Sequence, residues 1–229
     1  MTASVHGGNW SQADSLIQGR RLHTLTAVGD RLVATGGIPA KGGEMLDTVE
    51  IFTPDMGGWE VAAWSLSKPD ANHCAVALSD KDIMIVSGQA SPSGTEVNLY
   101  DVTNGAYLAL TPPPETPFKV RRQHSCFRDE DFVYVSSQPD GSEFEIWRLK
   151  IATREWESLP TPVWDENPPL QLGVVGGELT AFSSNEGVGV QVLRDGKWQP
   201  AQQQGWKFMS CSHCLEFCHQ ASWLLIGCT

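Results

Sequence analysis

Arg20 to Leu66, RRLHTLTAVGDRLVATGGIPAKGGEMLDTVEIFTPDMGGWEVAAWSL, consists of short apolar runs cut by Gly, Pro and Asp. Runs of this length between turn formers predict strands, because a helix needs a longer periodic pattern. Leu22–Val28, the turn Gly29-Asp30 and Arg31–Thr35 make a hairpin that ends on Gly36-Gly37. A Gly-rich loop leads to a third strand, Thr48–Thr53, and the turn Pro54–Gly58 leads to a fourth that opens at Trp59.

The same unit recurs along the chain. A histidine in the first strand appears at His23, His73, His124 and His213, with separations of 50, 51 and 89 residues. The last interval leaves room for two units, one of them without its histidine. An aromatic residue opens the fourth strand at Trp59, Tyr107, Trp156 and Trp198, with Trp10 one period earlier. Two independent ladders with a period near 50 residues point to a repeat architecture. Such an array makes one domain, because each unit buries its faces against its neighbours.

At these residues the chain resembles the kelch-repeat family of β-propellers. Arg20-x-x-His23 and Arg121-x-x-His124 match the family's lead-in to the first strand, while Asp70-x-x-His73 and Ser210-x-x-His213 keep only the histidine. Gly36-Gly37 matches the doublet that ends the second strand, and it decays to Ser87-Gly88, Ser136-Ser137, Ser183-Ser184 and Gly227-Cys228. The resemblance implies an all-β kelch-type propeller with whole blades over about 20–66, 71–112, 121–160 and 170–200. Partial blades lie over 1–19 and 207–229, the latter supplying first and second strands. Either the termini share a fifth blade, or the chain is part of a six- or seven-bladed propeller. Motifs of this kind specify fold, not function.

Composition narrows the function. The formal net charge is −11, with 16 Lys and Arg against 27 Asp and Glu. A general nucleic-acid or anionic-membrane role needs clustered cations, so neither is expected. No apolar run reaches the length of a membrane span, and the N-terminus has no basic-plus-apolar secretion signal. The six cysteines are too sparse for a disulfide scaffold. Reduced thiols and a cytoplasmic setting are therefore expected. Asn9-Trp10-Ser11 matches the glycosylation acceptor pattern and points the other way.

Two groups of residues stand out as candidate sites. Cys211, Cys214, Cys218 and His219 have ligand types that suit zinc. On one continuous strand, however, Cys211 faces away from Cys214 and Cys218, so no metal is expected. Arg20, Arg21, Arg121 and Arg122 form two doublets at equivalent positions just ahead of a first strand. Arginines there can grip carboxylates bidentately. The first of each doublet also has a structural reading as a repeat residue. The repeated histidines and Trp59, Trp156 and Trp198 read as packing residues.

There is no phosphate-binding loop, no nucleotide-binding glycine motif and no Gly-x-Ser-x-Gly elbow. Copper-radical chemistry, known among kelch-like propellers, is not expected, since Tyr100, Tyr107 and Tyr134 all sit in strands. The expected function is a non-catalytic protein-interaction module without cofactor. Its partner would be a protein or peptide, acidic where it meets the arginines. The loops Ile38–Met45, Gln89–Thr95 and Gln138–Ser142 would carry the contact, because binding residues concentrate on loops of rigid scaffolds. The alternative is a propeller enzyme acting on a carbohydrate or small molecule.

Overall fold

Turn chemistry sets the strand pattern of the computed structural model. At Gly176-Gly177 both residues have positive φ (60° and 83°). That geometry closes a two-residue hairpin whose twist matches its strands, and Val175 pairs with Glu178 across it. In the third sheet the Asp129-Glu130-Asp131 run works differently. One carboxylate oxygen of Asp129 accepts the amides of Asp131 and Phe132, and the other accepts the Tyr134 hydroxyl at 2.9 Å. Burial, with Asp129 beside it, pushes the Tyr134 phenol up to about 12.

The structure describes residues 2–3, 10–11, 14–89, 96–114, 120–139, 144–164, 170–183, 189–201, 207–211, 214–219 and 222–225. Backbone alone is described for 2–3, 10–11, 120–124, 138–139, 170, 183 and the strands beyond 206. Among these residues the chain is all-β apart from one 3-10 turn, Pro54–Met56. Four sheets are four-stranded antiparallel meanders, a plan compatible with a β-propeller-like fold. The first holds Thr24–Val28, Arg31–Thr35, Thr48–Thr53 and Gly58–Ser65. The second holds Cys74–Ala77, Asp82–Val86, Val97–Asp101 and Tyr107–Leu110. The third holds Val120–Arg128, Phe132–Pro139, Glu145–Lys150 and Glu155–Leu159. The fourth holds Leu170–Val175, Glu178–Ser183, Val190–Arg194 and Lys197–Pro200. These lie in the four stretches where whole repeat units were expected.

The chain divides into two compact units, residues 16–161 and residues 1–15 with 162–229. In the first unit the pleat explains the core. Ile83 and Ile85 enter one apolar cluster with Val28, Val33, Val49 and Ile51 of the first sheet. Met84 and Val86, on the opposite face of the same strand, enter another with Val133, Val135 and Leu149 of the third. Alternate side chains of a strand point to opposite faces, so a strand buried on both sides reads as an unbroken apolar run.

The other unit contains the fourth sheet and two smaller ones. Among its described residues, Leu172, Leu179, Ala181, Phe182, Val190 and Val192 are buried. Thr2–Ala3 pairs with Trp10–Ser11. The C-terminal sheet corrects an expectation, because it has three strands instead of two. Lys207–Cys211 precedes Cys214–His219 and Ser222–Leu225 and pairs with the first of them.

Candidate functional site

Arg20 and Arg21 are neighbours in sequence with opposite fates. They pair with Pro39 and Ile38, extending the first hairpin beyond the break at Leu22-His23 and Gly36-Gly37. Period-two alternation sends their side chains to opposite faces. Arg20 is buried, its side chain 0% exposed. It donates to the carbonyls of Gly36 (2.8 Å) and Thr48 (3.0 Å) and pairs with Glu50 at 2.5 Å. Glu50 also accepts the amides of Ile17 (2.7 Å) and Gln18 (3.1 Å). This network closes the start of the sheet, and it removes Arg20 from the candidate binding residues. The structural reading of the first arginine holds there, because a guanidinium whose donors are all spent inside has none to offer outside.

Arg21 is exposed and makes no ion pair or side-chain hydrogen bond with any described residue. Leu22 follows it with φ at 57° and is 42% exposed. A bulky residue in the left-handed region costs about 1–2 kcal/mol. The Leu22 carbonyl accepts the Asn72 amide at 3.0 Å, which fixes that conformation. Asn72 occupies the equivalent place in the second sheet with φ at 55°. Asparagine tolerates this conformation and leucine does not, so Leu22 is the residue that departs from its local backbone. Sequence reasoning passed over Leu22. The signal that could have found it was a leucine just before a repeat histidine where the next unit has an asparagine. Beside this pair, Ala40–Glu44 of the Ile38–Met45 loop is exposed.

His23 and His73 occupy packing positions. The His73 Nε2 lies 2.8 Å from the Thr35 hydroxyl, joining the start of the second sheet to the second strand of the first. His23 is half-buried. Desolvation first, then the Arg20 charge, holds its imidazole below the ordinary value, while Glu50 acts the other way.

Arg121 and Arg122 lie on the first strand of the third sheet, and their side chains are outside the described residues, as are Gln89–Thr95 in large part and Gln138–Ser142. His213 also falls outside. Cys211 pairs with Cys214 across a hairpin. The two do not lie on one continuous strand, so the alternation argument that set Cys211 apart does not apply; the side chains of this segment are not among those described. Among the described residues, no group of three or more His, Cys, Asp or Glu could hold a metal.

Cys74 and Cys126 form a disulfide, with Cα atoms 5.8 Å apart. This corrects the expectation of reduced thiols. Sparse cysteines argue against a scaffold of disulfides but not against a single bridge one repeat apart.

A shallow groove of about 830 Å³ is lined by Thr111, Pro112, Trp156, Arg148 and their neighbours. One ion pair lies within it. Arg148 donates to Glu157 at 2.7 Å and lies 4.5 Å over the Phe132 ring. The Trp156 indole donates to the Thr111 carbonyl at 2.8 Å and packs against the core between the second and third sheets. Trp156 therefore belongs to packing, as the repeat position suggested. Tyr107, at the corresponding position, instead lies 57% exposed and stacks on Tyr100.

No family model matches the chain, and no curated protein matches it. Among solved structures it is similar to one described as "Structure of YjhT", with a TM-score of 0.70 and 11% sequence identity. That match covers 93% of this chain and 80% of the other. At such identity the likeness concerns the fold.

Proposed function

We propose that the chain is a partner-binding module on a kelch-type propeller, each four-stranded meander being one blade. Its partner is a protein segment that presents a carboxylate beside an apolar side chain. The observation that carries this reading is the Arg21-Leu22 pair. A guanidinium without a side-chain partner among the described residues stands next to an exposed leucine held in a conformation that costs stability. The backbone there needs positive φ, but not a leucine; a leucine kept at an exposed position where asparagine would be less strained fits a role outside the fold. The ladder to Ile38 and the bond to Asn72 keep both residues on a rigid frame, which lowers the ordering cost of binding.

Two variants test this together. Leu22→Asn relieves the strain, so it should raise unfolding stability by about 0.5–1 kcal/mol while weakening partner capture. Arg21→Glu should leave stability within about 0.5 kcal/mol and weaken capture at least tenfold. The assay immobilises the full chain, recovers partners from an extract of its source, and measures each recovered protein against wild type and both variants. Equal retention by all three forms would discard the patch. Turnover in a panel of sugars would favour the enzyme alternative instead.

A further inference from the structure

We propose that the Cys74–Cys126 bridge is a structural lock between neighbouring sheets, and that the chain acquires it in a disulfide-forming environment. Cys74 opens the first strand of the second sheet, and Cys126 lies in the first strand of the third. Their Cα separation of 5.8 Å lies within the range of native bridges. The bond spans 52 residues, one full repeat, and fastens two sheets that otherwise meet by packing and by hydrogen bonds such as those from Arg128 to the Ala77 (3.2 Å) and Leu78 (2.7 Å) carbonyls. Cross-linking residues so far apart removes much of the freedom of the unfolded chain.

The surroundings make it a lock and not a readily exchanged pair. Cys74 is 6% exposed, in a cluster with Val76, Val86, Val97, Val133 and Val135. An apolar environment disfavours the thiolate, which is the species that exchanges. Cys126, the other half of the bridge, is only partly buried against the same cluster, so a reductant approaches from its side. Formation joins the two Sγ atoms. Each thiol gives up one proton and one electron, and a disulfide-form oxidant, small molecule or protein, accepts them and becomes two thiols. When reduced, the two cysteines pack as small apolar side chains, so the fold persists with a weaker junction. This inference is independent of the Arg21-Leu22 patch, and neither stands or falls with the other.

The test uses the full chain, equilibrated with oxidised glutathione or with excess dithiothreitol. Digestion without reductant should yield one cross-linked peptide pair containing Cys74 and Cys126. Reduction should lower the melting temperature by roughly 10 °C. Cys126→Ser should melt with the reduced wild type and lose that response to dithiothreitol, which separates this bridge from any pairing among the other four cysteines. If Cys126→Ser does not fold, the peptide map and the two wild-type melts decide. Alkylation of both residues in the oxidised native protein overturns the proposal. So does a cross-linked protein whose melting temperature ignores reduction.

Discussion

The lead-ins to the first and second sheets solve one problem with opposite charges. Arg20 and Asp70 stand three residues before His23 and His73, 50 positions apart. Each is buried, and each holds the peptide that leaves the second strand. Arg20 donates to the Gly36 carbonyl at 2.8 Å. Asp70 accepts the Gly88 amide at 2.8 Å. Since Gly36-Gly37 corresponds to Ser87-Gly88, the two side chains grip the same peptide unit, one at its oxygen and the other at its nitrogen. Arg20 also pairs with Glu50, 30 residues away, and Asp70 also accepts the Ala71 amide at 2.7 Å. A Cβ on Gly88 would come within 2.2 Å of the Ala71 carbonyl, so the backbone closes tightly around the aspartate. The repeat therefore fixes where a buried polar group must end but not the sign of its charge.

Breaking the Arg20 network should have the largest effect. Arg20→Met leaves the Glu50 carboxylate buried with only two amide donors, and a loss of about 3–5 kcal/mol is expected in denaturant unfolding. The double variant Arg20→Met/Glu50→Gln removes the stranded charge, and should lose less than Arg20→Met alone. If it loses more, charge is not what separates the two lead-ins. Asp70→Asn should cost about 1–3 kcal/mol, because the amide oxygen can serve one backbone donor while its NH2 meets the other. A cost equal to that of Arg20→Met would mean that the buried charge matters as much at the second lead-in as at the first.

The smallest effect is a pH dependence at the first lead-in. The His23 imidazole is held below its ordinary value of 6.5, chiefly by desolvation and then by Arg20. A depressed folded value favours the neutral ring, so its contribution is present above pH 6.5 and is lost as pH falls through the lower folded value. Wild type should therefore lose more stability than His23→Gln between pH 7 and pH 5. Parallel pH curves for the two proteins would remove the Arg20 neighbourhood as the cause.

The sequence by itself determined the repeat. The stretches that hold the four four-stranded sheets and their turns were legible, because strand length, two-residue turns and alternation are set by neighbouring residues. The spacing of His23, His73 and His124 marked where each unit begins. It also marked Asp70 as a departure without saying what the departure did. Arg20 and Arg21 looked alike in sequence. Only the tertiary structure separated them, because burial depends on a glutamate that arrives two strands later. The Cys74–Cys126 pairing was likewise invisible. Both residues sit near repeat histidines, but whether sulfur meets sulfur depends on how two sheets face each other. The hairpin at Cys211 and Cys214 turned on a strand that the repeat alignment did not supply. The strain at Leu22 needed a dihedral angle. Local pattern determines which residues form a sheet; the partners of a buried charge, thiol or strained residue come from elsewhere in the chain, and only the folded structure brings them together.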